Sequence, residues 1–427
     1  MFGKVVDFLK KPTSKDIIIN TLGNYLNVFF TALFVLILVR ILTKSQYGVL
    51  NVLLGIAYVL ANVLDFGTSA TIFSYVPALL DQKREHLYRF VKTTFYYQSI
   101  FSLIVIGILF LTFPWLDKNF FKTGAPAWEL YLTAVSVLFF IWQNFITNIF
   151  FAAKKFLRAN IYNNASNVVK TLILLMLALT NDVTVGSVIF VFGIVGPVIF
   201  FLLLFIEKKD LIFAVVKAEV RKEEFRFGYT MTYLVANQFW NLGLRMDLFL
   251  LSYYRPKSEV GDYALAQKII LTVITTIISI TQVLSPQFAK VTTKREVKHL
   301  LKTSLLYLSL PAGLFLFLYF LPVNIYYLFF TDKFAVTTSV ITEMMSLPFI
   351  LYTYASAPYL FILYTIKKPI YILIANIVFF ITITYVCYVI IPVKGVYGPP
   401  VAIWISFVLS TIVLMYGFVK EYRRLGT

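Results

Sequence analysis

Apolar residues run through this chain in long stretches, and polar residues gather in short clusters between them. Twelve stretches approach the length of about 20 residues that carries a helix across a bilayer core of about 30 Å. They fall at 17–40, 49–75, 92–113, 128–151, 160–180, 184–206, 228–254, 263–288, 304–321, 337–364, 370–391 and 397–419. Helices of a soluble protein would show polar faces, which these stretches lack. A membrane barrel would show alternation in segments of about ten residues, also missing here. The pattern predicts an all-α integral membrane protein with twelve transmembrane helices.

Composition agrees. Of 427 residues, 60% are hydrophobic and 14% charged, against roughly 25% charged in a typical soluble domain. A formal charge of +18 invites a nucleic-acid reading, but its placement speaks against one. Of the 38 Lys and Arg, Arg40, Lys44, Lys118, Lys122, Arg255, Lys257, Lys333 and Lys394 fall in or beside alternate loops, and Lys170, Arg245 and Lys268 fall in spans. The other 27 lie in the remaining loops and the two ends. This is the positive-inside pattern for an even number of spans. The chain reads as a multi-pass protein with both termini cytoplasmic, and with no nucleic-acid partner. The opening residues lack a small-residue cleavage pattern. Phe2, Val5, Val6 and Leu9 share a helical face, so 1–16 reads as a surface helix or a basic tail. Cys387 is the single cysteine, which excludes an internal disulfide and a cysteine-based metal cluster.

One connection is long. "EKKDLIFAVVKAEVRKEEFRF" begins at Glu207, near the middle of the chain, and Leu211, Ile212, Val215 and Val216 give it a helical apolar face. The expected domains are a cytoplasmic helix or tail (1–16), a six-helix lobe (17–206), a cytoplasmic linker helix (207–227), a second six-helix lobe (228–419) and a tail (420–427). The halves match weakly. At an offset of 213, "KSQYG" from Lys44 falls on "KSEVG" from Lys257, Asn24 on Asn237, and Asn163 on Asn376. Six spans is an even number, so the halves share orientation and are parallel repeats, an arrangement found in transporters with a substrate site near the midplane.

Charges inside spans are costly, about 2.5–3.5 kcal/mol each on insertion scales, and so point to a wet cavity or a partner. The candidates are Asp65, Lys170, Arg245, Asp247, Lys268 and Glu343, with Arg40 ending the first span. In "NLGLRMDLFLLS" Arg245 and Asp247 are two apart, which separates them by about 200° around a helix. They cannot be neighbours on one face, so Asp247 needs a partner elsewhere, with Arg40 and Lys268 as candidates. Asn237, Asn241 and Arg245 follow a spacing of four and form one stripe. Asn160, Asn163, Asn164, Asn167 and Lys170 form another. Such asparagines either line a cavity or hold helices together. Asn24 and Asn27 add polar groups to the first span.

Lys170, Arg245 and Lys268, with Arg40 at the rim, favour an anion, and phosphate suits both Arg and Lys. Asp65, Asp247 and Glu343 either couple transport to Na⁺ or H⁺ or balance the cations. No cofactor is expected. The GxxxxGK[ST] phosphate loop is missing, His86 and His299 lie in inner loops, and no long outer loop offers a catalytic domain. An enzyme is not expected.

Three stretches resemble the Wzx-type polysaccharide flippases of the MOP superfamily, which also holds the MATE exporters and the lipid II flippases. "VRILTKSQYGVLNVLL" carries Arg40, Leu42, Tyr47 and Gly48; "LDFGTSATIFSYV" carries Asp65 and Gly67; "RMDLFLLSYYRPKSEVGDYALAQKI" carries Asp247, Leu251, Gly261, Tyr263 and Ala266. The resemblance runs the length of the chain. It implies a V-shaped, MATE-like transporter of two six-helix lobes in the plasma (inner) membrane. It also implies a substrate, a polyprenyl-diphosphate-linked oligosaccharide flipped from the cytoplasmic to the outer leaflet for cell-surface polysaccharide synthesis. Membrane lipids and polysaccharide assembly proteins are the implied partners. An ion-coupled exporter of small soluble molecules is the alternative.

Overall fold

A computed structural model describes residues 12–65, 67–80, 84–153, 155–225, 227–288, 291–366, 368 and 370–425. Side chains at 12–21, 70, 73, 74, 77, 78, 227–237, 279, 282, 283 and 285–287 lie outside that description. So does most of the surface helix expected over 1–16.

The described chain is helical nearly throughout and contains no strand. The helices are α1 (Pro12–Ile41), α2 (Lys44–Leu64), α3 (Thr68–Leu80), α4 (Arg84–Leu116), α5 (Ala127–Ala152), α6 (Phe156–Leu179) and α7 (Val185–Lys217). Then come α8 (Phe227–Tyr254), α9 (Lys257–Phe288), α10 (Lys294–Tyr319), α11 (Val323–Phe329), α12 (Ala335–Thr365), α13 (Ile370–Lys394) and α14 (Gly398–Arg424). All twelve predicted spans fall on helices. The second is not continuous: it divides into α2 and α3 near Gly67, whose φ of 70° is left-handed and suits a residue without Cβ. The short α11 is an addition that hydropathy did not predict.

Among the described residues, nine segments are long and apolar enough to cross a membrane, the last of them, Ile370–Arg424, covering two helices. Their outward faces carry large apolar side chains. Leu111 is 85% exposed and Val393 84%. In water such surfaces would be sticky patches, whereas lipid is their natural solvent. The chain is an all-α, multi-span membrane protein.

Two compact units divide it. One comprises residues 1–41, 53–119 and 124–235; the other comprises 42–52, 120–123 and 236–427. In the first unit, Ile72, Val76, Phe90 and Phe145 form one buried cluster, and Phe150, Tyr162, Phe200 and Leu204 form another. α7 changes direction at Lys208, where φ is −127°, and continues to Lys217, within the segment 207–227. Ile212 packs on the second cluster. The linker is also tied to α4, with Lys92 donating to Val216 O and Arg221 N donating to Thr93 Oγ1 at 3.0 Å. In the second unit, Leu284, Phe288, Leu300, Phe361 and Leu414 pack together where α9, α10, α12 and α14 meet. The first turns of α2 belong to this unit and lie against the first turns of α9.

Candidate functional site

In the second unit, α8 and α9 share a polar network built on Asp247. Asp247 is 1% exposed. Its Oδ1 accepts from Leu248 N at 2.6 Å. Its Oδ2 accepts from Tyr263 OH and from Gln267 Nε2, the latter at 3.1 Å. Tyr263 and Gln267 are four apart on α9 and so share a face, which lets both reach one carboxylate. A buried carboxylate is tolerable only with such donors. These are the partners that the sequence called for, in place of the Arg40 or Lys268 considered there.

Gln267 has a second task. Its Oε1 accepts from Arg245 Nη1 at 2.9 Å. The amide therefore links the two charged residues of α8, which point apart around the helix. Asp247 orients Gln267, and Gln267 orients Arg245. Lys268, the next residue, places Nζ 5.4 Å from the centre of the Tyr47 ring. Among the described residues no carboxylate lies within ion-pair distance of it. An aromatic face holds a cation without neutralising it. Asn241 is half-buried on α8, and the Asn237 side chain lies outside the described residues. Glu343 is exposed on α12.

In the first unit, Asp65 sits at the break between α2 and α3. Its carboxylate accepts from Ser69 N at 3.2 Å, Ser69 Oγ at 2.8 Å and Thr68 Oγ1 at 3.1 Å. It thereby serves the unpaired N–H groups at the start of α3, as capping side chains do. Asn148 Nδ2 donates to Ser69 Oγ at 2.6 Å and ties α5 to the same turn.

The asparagine stripe of α6 faces α1. Asn167 Nδ2 donates to Asn27 Oδ1 at 2.8 Å, and Asn164 Nδ2 to Gly23 O at 3.3 Å. Gly23 leaves room for Asn160, whose Cγ stands 2.2 Å from where a Cβ would be. Asn163 Oδ1 accepts from Gln143 Nε2 at 3.0 Å. These asparagines join α6 to α1 and α5. Asn24, on α1, is exposed. Lys170 ends the stripe: its stem lies on Gly196 and its Nζ is 5.3 Å from the centre of the Phe192 ring. Like Lys268, it has no carboxylate within ion-pair distance among the described residues. Arg40 is exposed in the last turn of α1, where a cation complements the helix dipole.

Sequence reasoning named Tyr263 only within the family resemblance, and passed over Gln267 and the ion pair of Lys44 with Asp262, whose Nζ–Oδ2 distance is 3.0 Å. Neutral Gln and Tyr do not stand out in a span as charges do. Asp262 was hidden by its place at the edge of the eighth apolar run. No group of His, Cys, Asp and Glu suited to a metal occurs among the described residues.

Solved structures share this architecture. A lipid II flippase MurJ in an inward closed conformation superposes with a TM-score of 0.69 at 17% identity, over 95% of this chain and 90% of that one. An inward-facing multidrug resistance MATE family transporter of the MOP superfamily gives 0.73 at 13%, over 93% and 96%. A MOP superfamily transporter from Pyrococcus furiosus, described as having a binding pocket of reversed polarity, gives 0.66 at 15%, over 96% and 94%. The chain thus has the fold of the MOP-superfamily transporters. By sequence it belongs to the polysaccharide biosynthesis protein family, whose model matches residues 13–292. No curated protein matches it.

Proposed function

We propose that the protein flips a polyprenyl-diphosphate-linked oligosaccharide from the cytoplasmic to the outer leaflet by alternating access, for cell-surface polysaccharide synthesis. The carrying observation is the state of charge on α8 and α9. Asp247 is occupied by three donors of its own. Lys268 rests on an aromatic ring, and Arg245 is presented by an amide. Two fixed cations in one apolar bundle favour a ligand with concentrated negative charge, and a diphosphate meets that description. Lys170 adds a third such cation in the first unit. Family membership supports a lipid-linked substrate and an inner-membrane location, and the lysine distribution supports cytoplasmic termini. Membrane lipids surround it, and polysaccharide assembly proteins are its expected partners.

Asp247, Asp65 and Glu343 are the residues at which Na⁺ or H⁺ coupling would act. The hydrogen bonds on Asp65 and Asp247 already give both a structural task. The likeness to MATE transporters favours a second reading, ion-coupled export of a small soluble molecule.

Leaflet translocation in vesicles holding only this protein separates the two. The probe is a fluorescent short-chain polyprenyl-diphosphate oligosaccharide, with access read by an outside-only quencher. Protein-dependent movement of the unchanged molecule is expected. Immobility of that probe, together with efflux of a soluble dye under a Na⁺ or H⁺ gradient, would replace the flippase with the exporter.

A further inference from the structure

A cavity of about 250 Å³ lies within the second unit, between α8, α9, α12, α13 and α14. It is separate from the Asp247 network, and among the described residues no charged side chain lines it. Its apolar surface is aromatic. Trp240, Tyr352 and Phe407 all line it and are stacked on one another, Trp240 on Tyr352 at 5.3 Å with 15° between their planes. Its polar surface consists of neutral groups. Ser356 Oγ donates to Tyr352 O at 3.1 Å, and Ser410 Oγ donates to Phe407 O at 3.3 Å. Each hydroxyl proton is thus used within its own helix, which leaves the oxygen lone pairs as acceptors. Asn376 and Thr411 also line the cavity, and their side chains make no hydrogen bond to another described residue.

The chemistry of these walls selects among ligands. A diphosphate would find no cation. A polyprenyl tail would leave the amide and hydroxyls without partners, at a cost. A sugar ring satisfies both kinds of surface: its C–H face lies on aromatic rings, and its hydroxyls donate to serine oxygens and exchange hydrogen bonds with an amide. We propose that this cavity is a subsite for an uncharged glycosyl unit. The inference rests on the function proposed above, which supplies the glycan, and places one of its sugars inside the second unit, away from the cations that take the diphosphate.

The test uses the purified full chain in nanodiscs and methyl glycosides of hexoses and N-acetylhexosamines, with binding read by saturation-transfer NMR and calorimetry. At least one glycoside is expected to bind saturably. Asn376→Leu and Thr411→Val should each weaken it about tenfold, the equivalent of one hydrogen bond, and both variants keep the size of the cavity. A short-chain polyprenyl-diphosphate glycan that displaces the glycoside assigns the sugar to the lipid-linked substrate. Failure to displace it assigns the site to a free sugar. Saturable binding of no glycoside, equal affinity in both folded variants, or occupancy by tetramethylammonium or a polyprenol alone would overturn the subsite. Glycoside binding that survives without any leaflet translocation would overturn the flippase reading and leave the subsite standing.

Discussion

Gly48 and Gly261 stand 213 residues apart and pack backbone against backbone. A Cβ on Gly48 would lie 1.9 Å from Lys257 O, and a Cβ on Gly261 would lie 2.4 Å from Lys44 O. The relation is reciprocal: each glycine meets the carbonyl of the lysine that opens the other's motif, "KSQYG" or "KSEVG". Repeated segments that touch across a local two-fold axis make this kind of mutual contact. α2 and α9 therefore begin by crossing closely, and the crossing needs residues without side chains at both positions.

Gly48→Ala and Gly261→Ala should each force α2 and α9 apart. Overpacking of this kind costs about 1–3 kcal/mol. The expected result is a lowered midpoint of thermal unfolding in detergent, read by fluorescence-detected size exclusion. An unchanged midpoint in both variants would mean that the crossing is looser than described.

Arg245→Ala should abolish translocation while leaving a monodisperse, folded protein. Arg245→Lys should recover part of the rate, since lysine restores the charge but not the planar fork. Leaflet translocation is the measurement, and wild-type rates in Arg245→Ala would remove Arg245 from the substrate site.

Tyr263→Phe removes one donor from Asp247 Oδ2 with almost no change of shape. A buried acceptor deprived of its donor costs about 1–3 kcal/mol. The variant should melt lower, and translocation should fall as Gln267 and Arg245 lose their orientation. A melting point equal to wild type would show that water or Gln267 replaces the tyrosine.

Lys44 and Asp262 should be tested together. The Asp262 side chain is 6% exposed and the Lys44 side chain 28%. Asp262→Leu strands the lysine and should destabilise by up to about 3 kcal/mol, the lower end for a buried pair because Lys44 reaches solvent. Adding Lys44→Met should restore most of that loss. Additive losses in the double-mutant cycle would deny the coupling.

Lys155 lies between α5 and α6, outside the spans. Burial, then the positive charges of Arg158, Lys208 and Arg84, push its pKa below the usual lysine value. A lowered lysine pKa means that the charged form is disfavoured in the folded state. The penalty holds at neutral pH and is relieved as pH rises through the depressed value. Lys155→Gln should therefore raise the melting midpoint at low ionic strength. The gain should shrink in high salt as the neighbouring charges are screened. A gain that is independent of salt would point to packing instead of charge.

The helices at the twelve predicted spans were readable in the sequence because hydropathy over about 20 residues is a local property of the chain. So was the internal repeat, because Lys, Gly and Asn recur at one offset. That Arg245 and Asp247 could not serve each other directly also followed from helix geometry alone. What joins them did not. Gln267 lies 20 residues beyond Asp247, and only the packing of α9 on α8 brings its amide to both.

The same limit applies to the other polar residues in the spans. From spacing, a stripe of asparagines reads equally as cavity lining or as helix glue, and the docking of α6 on α1 selects glue for Asn164 and Asn167. From composition, Asp65 and Glu343 look alike; in space one caps α3 and the other is exposed on α12. The sequence by itself determined the solvent in which this protein folds, because transfer free energy is summed along the chain. Only the tertiary structure decided the task of each buried polar group, because a hydrogen bond is made at about 3 Å by partners that the sequence leaves far apart.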